Sequence, residues 1–329
     1  MITLILIIVV LGLFFDFSNG FHDTANAIAT SLSTKALTPR TAIILAALLN
    51  LLGALMFSGV AKTIGGSIAD PLKIHNGMIV VLAALISAIA WNLITWYFGI
   101  PSSSSHALIG SLAGAVISAA GVQAVNFAGF ISIIEYLIVS PIIAFIVGYI
   151  LMNILQMAFA NFPPRKVNKI FRSLQVLSAA FQAFSHGTND AQKTMGIITF
   201  ALVAGGFQHD LSIPLWVKVL AAVAMGLGTS VGGWRIIQTV GTKIMKLEPI
   251  NGFSADLSSS LVIIISTLLH RPLSTTHVIS SSIMGVGTAK GLRAVKWGMA
   301  GRIVIAWVIT LPITAILAGF VYKLCAAFQ

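Results

Sequence analysis

The chain has 329 residues, 57% hydrophobic and 8% charged, with a formal net charge of +11 and a mean hydropathy of +1.00. A soluble domain keeps about a quarter of its residues charged, so a water-soluble globule is excluded and most of the outer surface faces lipid. The single cysteine, Cys325, excludes an intrachain disulfide and a cysteine metal site. The Lys and Arg residues sit in short segments between apolar runs, so the positive excess reads as membrane orientation, not nucleic-acid binding.

A membrane crossing takes about 20 residues, so the length allows about ten. A span in lipid must satisfy its own backbone, which leaves helices or a closed barrel. The apolar runs are too long and continuous for barrel strands. They cover 2–15, 24–33, 41–61, 77–98, 106–120, 127–152, 173–184, 194–207, 213–232, 257–269, 277–289 and 298–325. Several are too short to cross alone, which predicts broken or re-entrant helices. Nothing basic precedes the first run, and Asp16, His22 and Asp23 follow it. It reads as a retained helix, not a signal peptide. The segment Asn161-Phe162-Pro163-Pro164-Arg165-Lys166, followed by Lys169 and Arg172, is basic and broken by paired prolines. It divides the chain into a first membrane repeat (1–160), a cytoplasmic linker (161–172) and a second repeat (173–329).

The halves repeat each other. Gly20-Phe21-His22-Asp23-Thr24 answers Gly187-Thr188-Asn189-Asp190-Ala191, an offset of 190 − 23 = 167. Pro101-Ser102-Ser103-Ser104-Ser105-His106 answers Pro272-Leu273-Ser274-Thr275-Thr276-His277, an offset of 277 − 106 = 171. Lys62-Thr63-Ile64-Gly65 answers Gln238-Thr239-Val240-Gly241. Three matches in one order at nearly constant offset indicate an internal duplication. Equivalent loops differ in basic content. The loop near 33–41 carries Lys35 and Arg40, while its partner near 205–213 carries no Lys or Arg. The loop near 119–130 is uncharged, while its partner holds Lys290, Arg293 and Lys296. Two repeats of opposite orientation produce this pattern, with the linker, 33–41, 235–248 and 290–296 in the cytoplasm. The expected fold class is therefore an all-α polytopic membrane protein made of inverted repeats with re-entrant or broken helices.

An acid in hydrocarbon costs roughly 2.5–3.5 kcal/mol on insertion scales, yet Asp16, Asp23 and Asp190 fall in or beside apolar runs. Asp23 and Asn26 share one helical face. Gln182, Ser185, His186, Thr188, Asn189, Gln192 and Lys193 surround Asp190. A merely structural network, such as Asp190 with Lys193, is the plain alternative. The Pro-x-x-x-x-His runs read as helix starts, because Pro favours the first turn and Ser/Thr the cap. Helix starts present free N–H groups and a positive dipole end, which suits an oxyanion; ordinary capping is the alternative. His106 and His277 read as structural hydrogen-bonding groups rather than ligands, whereas His22 and His186, inside the polar motifs, fit a functional or a structural role equally. Trp91, Trp96, Trp297 and Trp307 read as interface or lipid-packing residues.

The motifs Gly20-x-x-Asp23-x-x-Asn26 and Ser185-His186-Gly187-Thr188-Asn189-Asp190 resemble the two signature copies of the inorganic phosphate transporter (PiT) family. The two Ser/Thr-rich runs and Gly232-Gly233-Trp234-Arg235 fit as well, so the resemblance spans nearly the whole chain. It implies cation-coupled phosphate uptake at the cell membrane, no enzymatic chemistry, no cofactor, and a homodimer. Two positions depart from the pattern: His22 replaces an Asn, and Lys193 stands where the first copy has Asn26.

On that resemblance, Asp23, Asn26, Asn189, Asp190 and Ser185 are expected to hold the co-transported cation, because carboxylates repel phosphate unless a cation intervenes. Hard oxygen ligands suit Na⁺. Ser102, Ser103, Ser104 and Ser105, with Ser274, Thr275 and Thr276, are expected to hold phosphate, joined by Thr24, Thr188 and Gln182. His22, His186 and Lys193 are set aside as proton or structural groups. Alternatives are a proton-coupled phosphate or sulfate carrier, a channel, or an intramembrane hydrolase using a serine of 102–105 with His106. The adjacent Ser105 and His106 point to different helix faces, and duplicated half-sites suit a carrier better than an enzyme.

Overall fold

A computed structural model describes residues 1–74 and 76–327. The first half runs α1 (Ile2–His22), α2 (Thr24–Ser33), α3 (Pro39–Met56), α4 (Gly59–Ser67), α5 (Gly77–Phe98), α6 (Ser104–Ala120) and α7 (Phe127–Ala158). The second runs α8 (Pro164–Ala204), α9 (Leu215–Val231), α10 (Trp234–Gln238), α11 (Pro249–Leu268), α12 (Thr275–Lys290) and α13 (Trp297–Ala327). A π-helical turn, Thr239–Lys243, extends α10. Among the described residues the only β pairing is an isolated bridge between Met245 and Val295. The protein is an all-α polytopic membrane protein.

The halves follow the same order from α5 and α11 onward. Each has a hydroxyl-capped helix, then a short 3₁₀ turn (Val122–Ala124, Leu292–Ala294), then a long helix with a proline inside it, Pro141 in α7 and Pro312 in α13. The lost ladder bond at such a proline is tolerated where neighbouring helices cover it.

Three elements differ from the sequence reading. The run 173–184 and most of the run 194–207 are not separate pieces but belong to α8, 41 residues long and ending at Ala204. The polar motif between them stays helical because its side chains find partners on neighbouring helices. The first apolar run, read as 2–15, continues as helix through the polar Ser18-Asn19-Gly20 to His22, and the break falls at Asp23, whose backbone remains right-handed (φ −89, ψ −33). Pro164 occupies the first position of α8, where proline's missing N–H is harmless, so only 159–163 of the connection is non-helical. Among the described residues, six spans are long and apolar enough to cross a membrane, and α9 with α10 and its π-helical extension, bent by 66°, would make a seventh. That is fewer than the length allows, because α6 and α12 have 17 and 16 residues and at 1.5 Å per residue reach only about 25 Å.

Helices of one half pack on those of the other at glycine. Gly20 of α1 lies on the Met225 carbonyl of α9, and Gly228 of α9 lies on the Phe17 carbonyl. Gly187 of α8 and Gly53 of α3 repeat the arrangement against Asn50 and Phe184. Likewise α6 packs on α13 through Gly110 and Gly114 against Leu311 and Ala315, and α12 packs on α7 through Gly285 against Phe145. Along α1 and α8, Gly12 meets Ile198 while Asn19 meets Asp190, so these two helices run antiparallel.

The basic connections gather at one end. Lys290 pairs with Glu248 at 2.8 Å, the Lys296 amide donates to the Ile244 carbonyl at 2.9 Å, and Gly241 abuts Ser33. Phe171 packs edge-on between Phe159 and Phe253, which brings the 159–163 connection to the same end. At the other end the Asn126 amide donates to the Ile68 carbonyl at 2.9 Å.

Candidate functional site

Ser103 caps α6 by accepting the His106 amide at 3.1 Å, and Ser274 caps α12 by accepting the His277 amide at 3.2 Å. These caps aim the next residues inward. Ser104 and Thr276, one from each run, both donate to Asp23, Thr276 at 2.9 Å. Thr276 also accepts the Asn26 side-chain amide at 3.0 Å. His22 Nδ1 lies 2.6 Å from Asp23, and His22 Nε2 lies 3.0 Å from the Thr95 hydroxyl, which also accepts from Ser102 at 2.9 Å. Ser105 donates to the Leu273 carbonyl at 2.7 Å, so the two hairpin tips touch.

The second half builds a similar centre. Asp190 lies 2.6 Å from the Lys193 ammonium and 3.3 Å from His186 Nε2. It also accepts from Asn19 and Thr275, each at 3.2 Å. His186 Nδ1 meets the Asn50 side-chain oxygen at 2.8 Å. Asn189 donates to Thr267 at 3.1 Å and accepts the Leu273 amide at 3.5 Å. Thr267 sits on α11 where Thr95 sits on α5, an offset of 267 − 95 = 172. Asp23, Asn26, Asn189, Asp190 and the hydroxyl runs are all buried.

The structure therefore brings both Asp motifs and both hydroxyl runs to one centre. It does not keep the two sets apart: Ser104, Thr275 and Thr276, grouped with phosphate, donate to the carboxylates grouped with the cation. Ser103 and Ser274 act as caps. Thr24 accepts from Asn50 at 3.2 Å and Thr229 at 3.1 Å, and Thr188 donates to the Ser185 carbonyl at 2.7 Å. Ser185 Oγ is buried without a partner.

Gln182 lies elsewhere. Its side-chain oxygen accepts from Ser259 and Ser260, both at 2.7 Å. Beside it, buried Asp256 accepts from Thr30 at 2.6 Å and Ser178 at 3.2 Å. Asp256 is a site residue that the apolar pattern does not mark, because the apolar run begins at 257 while α11 starts at Pro249. The signal was an acid in a serine-rich stretch, Ser254 to Ser260. Trp307 is not a lipid-facing residue: it stacks on His277, with ring centroids 3.9 Å apart, and donates to the Pro101 carbonyl at 3.2 Å. Trp91 donates to Thr310 at 3.1 Å. His106 and His277 face each other at 4.5 Å.

A multi-pass helical protein whose halves jointly enclose a buried centre of acids, amides and hydroxyls has the architecture of a membrane carrier. Comparison with known proteins narrows this. The chain belongs to the Phosphate transporter family, whose sequence profile matches residues 19–318. It is 59% identical to a Bacillus subtilis (strain 168) protein described as "Probable low-affinity inorganic phosphate transporter", over 98% of this chain and 97% of that one. It is 44% identical to a protein of the same description from Rhizobium meliloti (strain 1021), over 96% and 94%. A solved structure described as "The sodium-dependent phosphate transporter" superposes with a TM-score of 0.89 and 27% identity, covering 99% of this chain and 100% of that one. The protein is thus a transporter and not an enzyme.

Proposed function

We propose that this protein is a symporter of inorganic phosphate driven by a cation, Na⁺, and that its halves are inverted in the membrane. The convergence of Ser104 and Thr276 on Asp23 carries the reading. Hydroxyls from two separate helix starts meet there, beside the Asn26 side-chain oxygen, which is buried without a partner. A bare carboxylate in this low-dielectric setting repels phosphate strongly. A cation between Asp23 and the anion reverses the sign, so the two ligands favour each other's binding. Oxygen donors suit Na⁺, and the structural neighbour is described as sodium-dependent.

Asp23 and Asn26 hold the exchangeable cation in this reading, with Asp190, Asn189 and Ser185 as the counterpart in the second half. The helix starts after Ser103 and Ser274 supply N–H groups and hydroxyls to phosphate. The antiparallel course of α1 and α8 supports inversion, as does the gathering of 33–41, 235–248 and 290–296 at one basic end, which faces the cytoplasm. The protein acts as a homodimer, which cross-linking in native membranes tests. His22 against Asp23 favours one second reading, coupling to protons. Uptake of labelled phosphate into proteoliposomes, with Na⁺ and pH gradients imposed separately and sulfate as competitor, decides among them. Uptake driven by neither gradient would sink the reading.

A further inference from the structure

The two half-sites differ at one position. Asp23 is followed after three residues by Asn26, and Asp190 after three residues by Lys193. Lys193 is the one fully buried Lys or Arg among the described residues. Its ammonium rests 2.6 Å from Asp190 Oδ1. The other carboxylate oxygen accepts from Asn19 and Thr275. Both carboxylate oxygens of Asp190 thus accept from within the protein, with His186 Nε2 also 3.3 Å from Oδ2, and its charge is matched by a charge that cannot leave. Asp23 is served by His22, Ser104 and Thr276, with no Lys or Arg among those partners. The Asn26 oxygen that stands in the place of the ammonium is left open.

We propose that Lys193 is a tethered coupling cation, occupying in the second half the place that a transported cation takes in the first. The inference rests on the reading of Asp23 and Asn26 as a cation site. An ammonium is a compact charge with three donors. Held one helical turn from Asp190, it neutralises that carboxylate permanently and lets phosphate approach from the second half without a second free ion. The first half, with an amide oxygen instead, must recruit its cation from solution. The carrier therefore has two cation positions but exchanges only the one beside Asp23, and phosphate uptake draws on fewer ions than the duplicated architecture offers.

The test is equilibrium binding of radiolabelled Na⁺ to the purified full-length protein at saturating phosphate. Lys193→Asn replaces the ammonium with the ligand found in the first half. It is expected to bind one more Na⁺ per chain than wild type and to show a steeper Na⁺ dependence of phosphate uptake. A variant that melts like wild type yet binds the same number of Na⁺ overturns the proposal. If Lys193→Asn does not fold, the double variant Asp190→Asn/Lys193→Met removes both fixed charges. It is expected to keep the wild-type Na⁺ number, whereas loss of one bound Na⁺ would show that Asp190 itself holds a free ion and would overturn the proposal. Wild type that binds no Na⁺ refutes sodium coupling, but a Lys193→Asn protein that then binds one still upholds the tethered charge. No Na⁺ in either protein overturns both.

Discussion

Thr276, from the second half of the chain, donates its hydroxyl to Asp23 of the first at 2.9 Å and accepts the Asn26 amide at 3.0 Å. One hydroxyl thus uses its donor and acceptor capacity together, and it ties the start of α12 to the motif at the α1–α2 break. Thr276→Ala removes both bonds and leaves buried groups unpaired, a loss of about 1–3 kcal/mol. Phosphate affinity measured by titration calorimetry should fall accordingly, while Thr276→Ser should stay near wild type. Equal losses in both would mean that the methyl group, not the hydroxyl, matters.

Asp23→Asn keeps the shape of the site and removes its charge. Transport by this variant should lose its Na⁺ dependence, and phosphate binding should weaken as a consequence. Because coupling is reciprocal, phosphate should in turn no longer tighten Na⁺ binding. Na⁺ and phosphate titrated separately on the variant give the answer; undiminished Na⁺ binding would place the cation elsewhere.

The glycine crossings make a prediction about folding. An added methyl on Gly228 meets the Phe17 carbonyl, and one on Gly187 meets the Asn50 carbonyl, both backbone atoms that cannot rotate away. Gly228→Ala and Gly187→Ala should each destabilise by about 1–3 kcal/mol, as overpacking does. Gly298 has nothing within 4 Å, so Gly298→Ala should be neutral or mildly stabilising. Thermal melting in detergent separates them, and three indistinguishable curves would contradict the packing described.

Orientation is open to labelling. In a Cys325→Ala background, single cysteines at Lys35 and Asp210 should react with impermeant reagents from opposite faces. Lys35 lies in the loop after α2, among the basic connections. Asp210 lies in the loop after α8, where its carboxylate accepts the Ser212 amide at 3.0 Å. The Ser212 hydroxyl and amide hold that carboxylate below its usual range, so the loop keeps its negative charge at neutral pH. Reaction from one face for both positions would end the inverted arrangement.

Asp256 of α11 joins the halves a second time through Thr30 of α2, and within its own half it accepts from Ser178 of α8. Asp256→Leu should strand both hydroxyls and lower the melting temperature, whereas Asp256→Asn keeps an acceptor for Thr30 and should be milder. Matching melting curves for wild type and Asp256→Leu would show that the cluster adds no stability.

The helical, polytopic nature of the chain and both polar motifs were legible in the sequence because apolar runs and buried acids are local signals. The convergence of Ser104 and Thr276 on Asp23 was not, since it depends on how α6 and α12 cross the first motif. Continuity of α8 was hidden because a polar stretch looks like a break until its partners, Asn19, Asn50 and Thr267, are in place. Asp256 was hidden for the reverse reason: its helix starts eight residues before the apolar run, within a segment that reads as loop.

The packing of α6 on α13 and of α12 on α7 has a further consequence. Each half hands a helix to the other, as two clasped hands exchange fingers, so the units that hold together in space are not the units that follow one another in sequence. A proteolytic nick at 159–163 should therefore leave the fragments bound to each other through purification. Either half synthesised alone would lack the surface on which its own helices rest, and activity from separate genes should require that both be made in the same membrane at the same time.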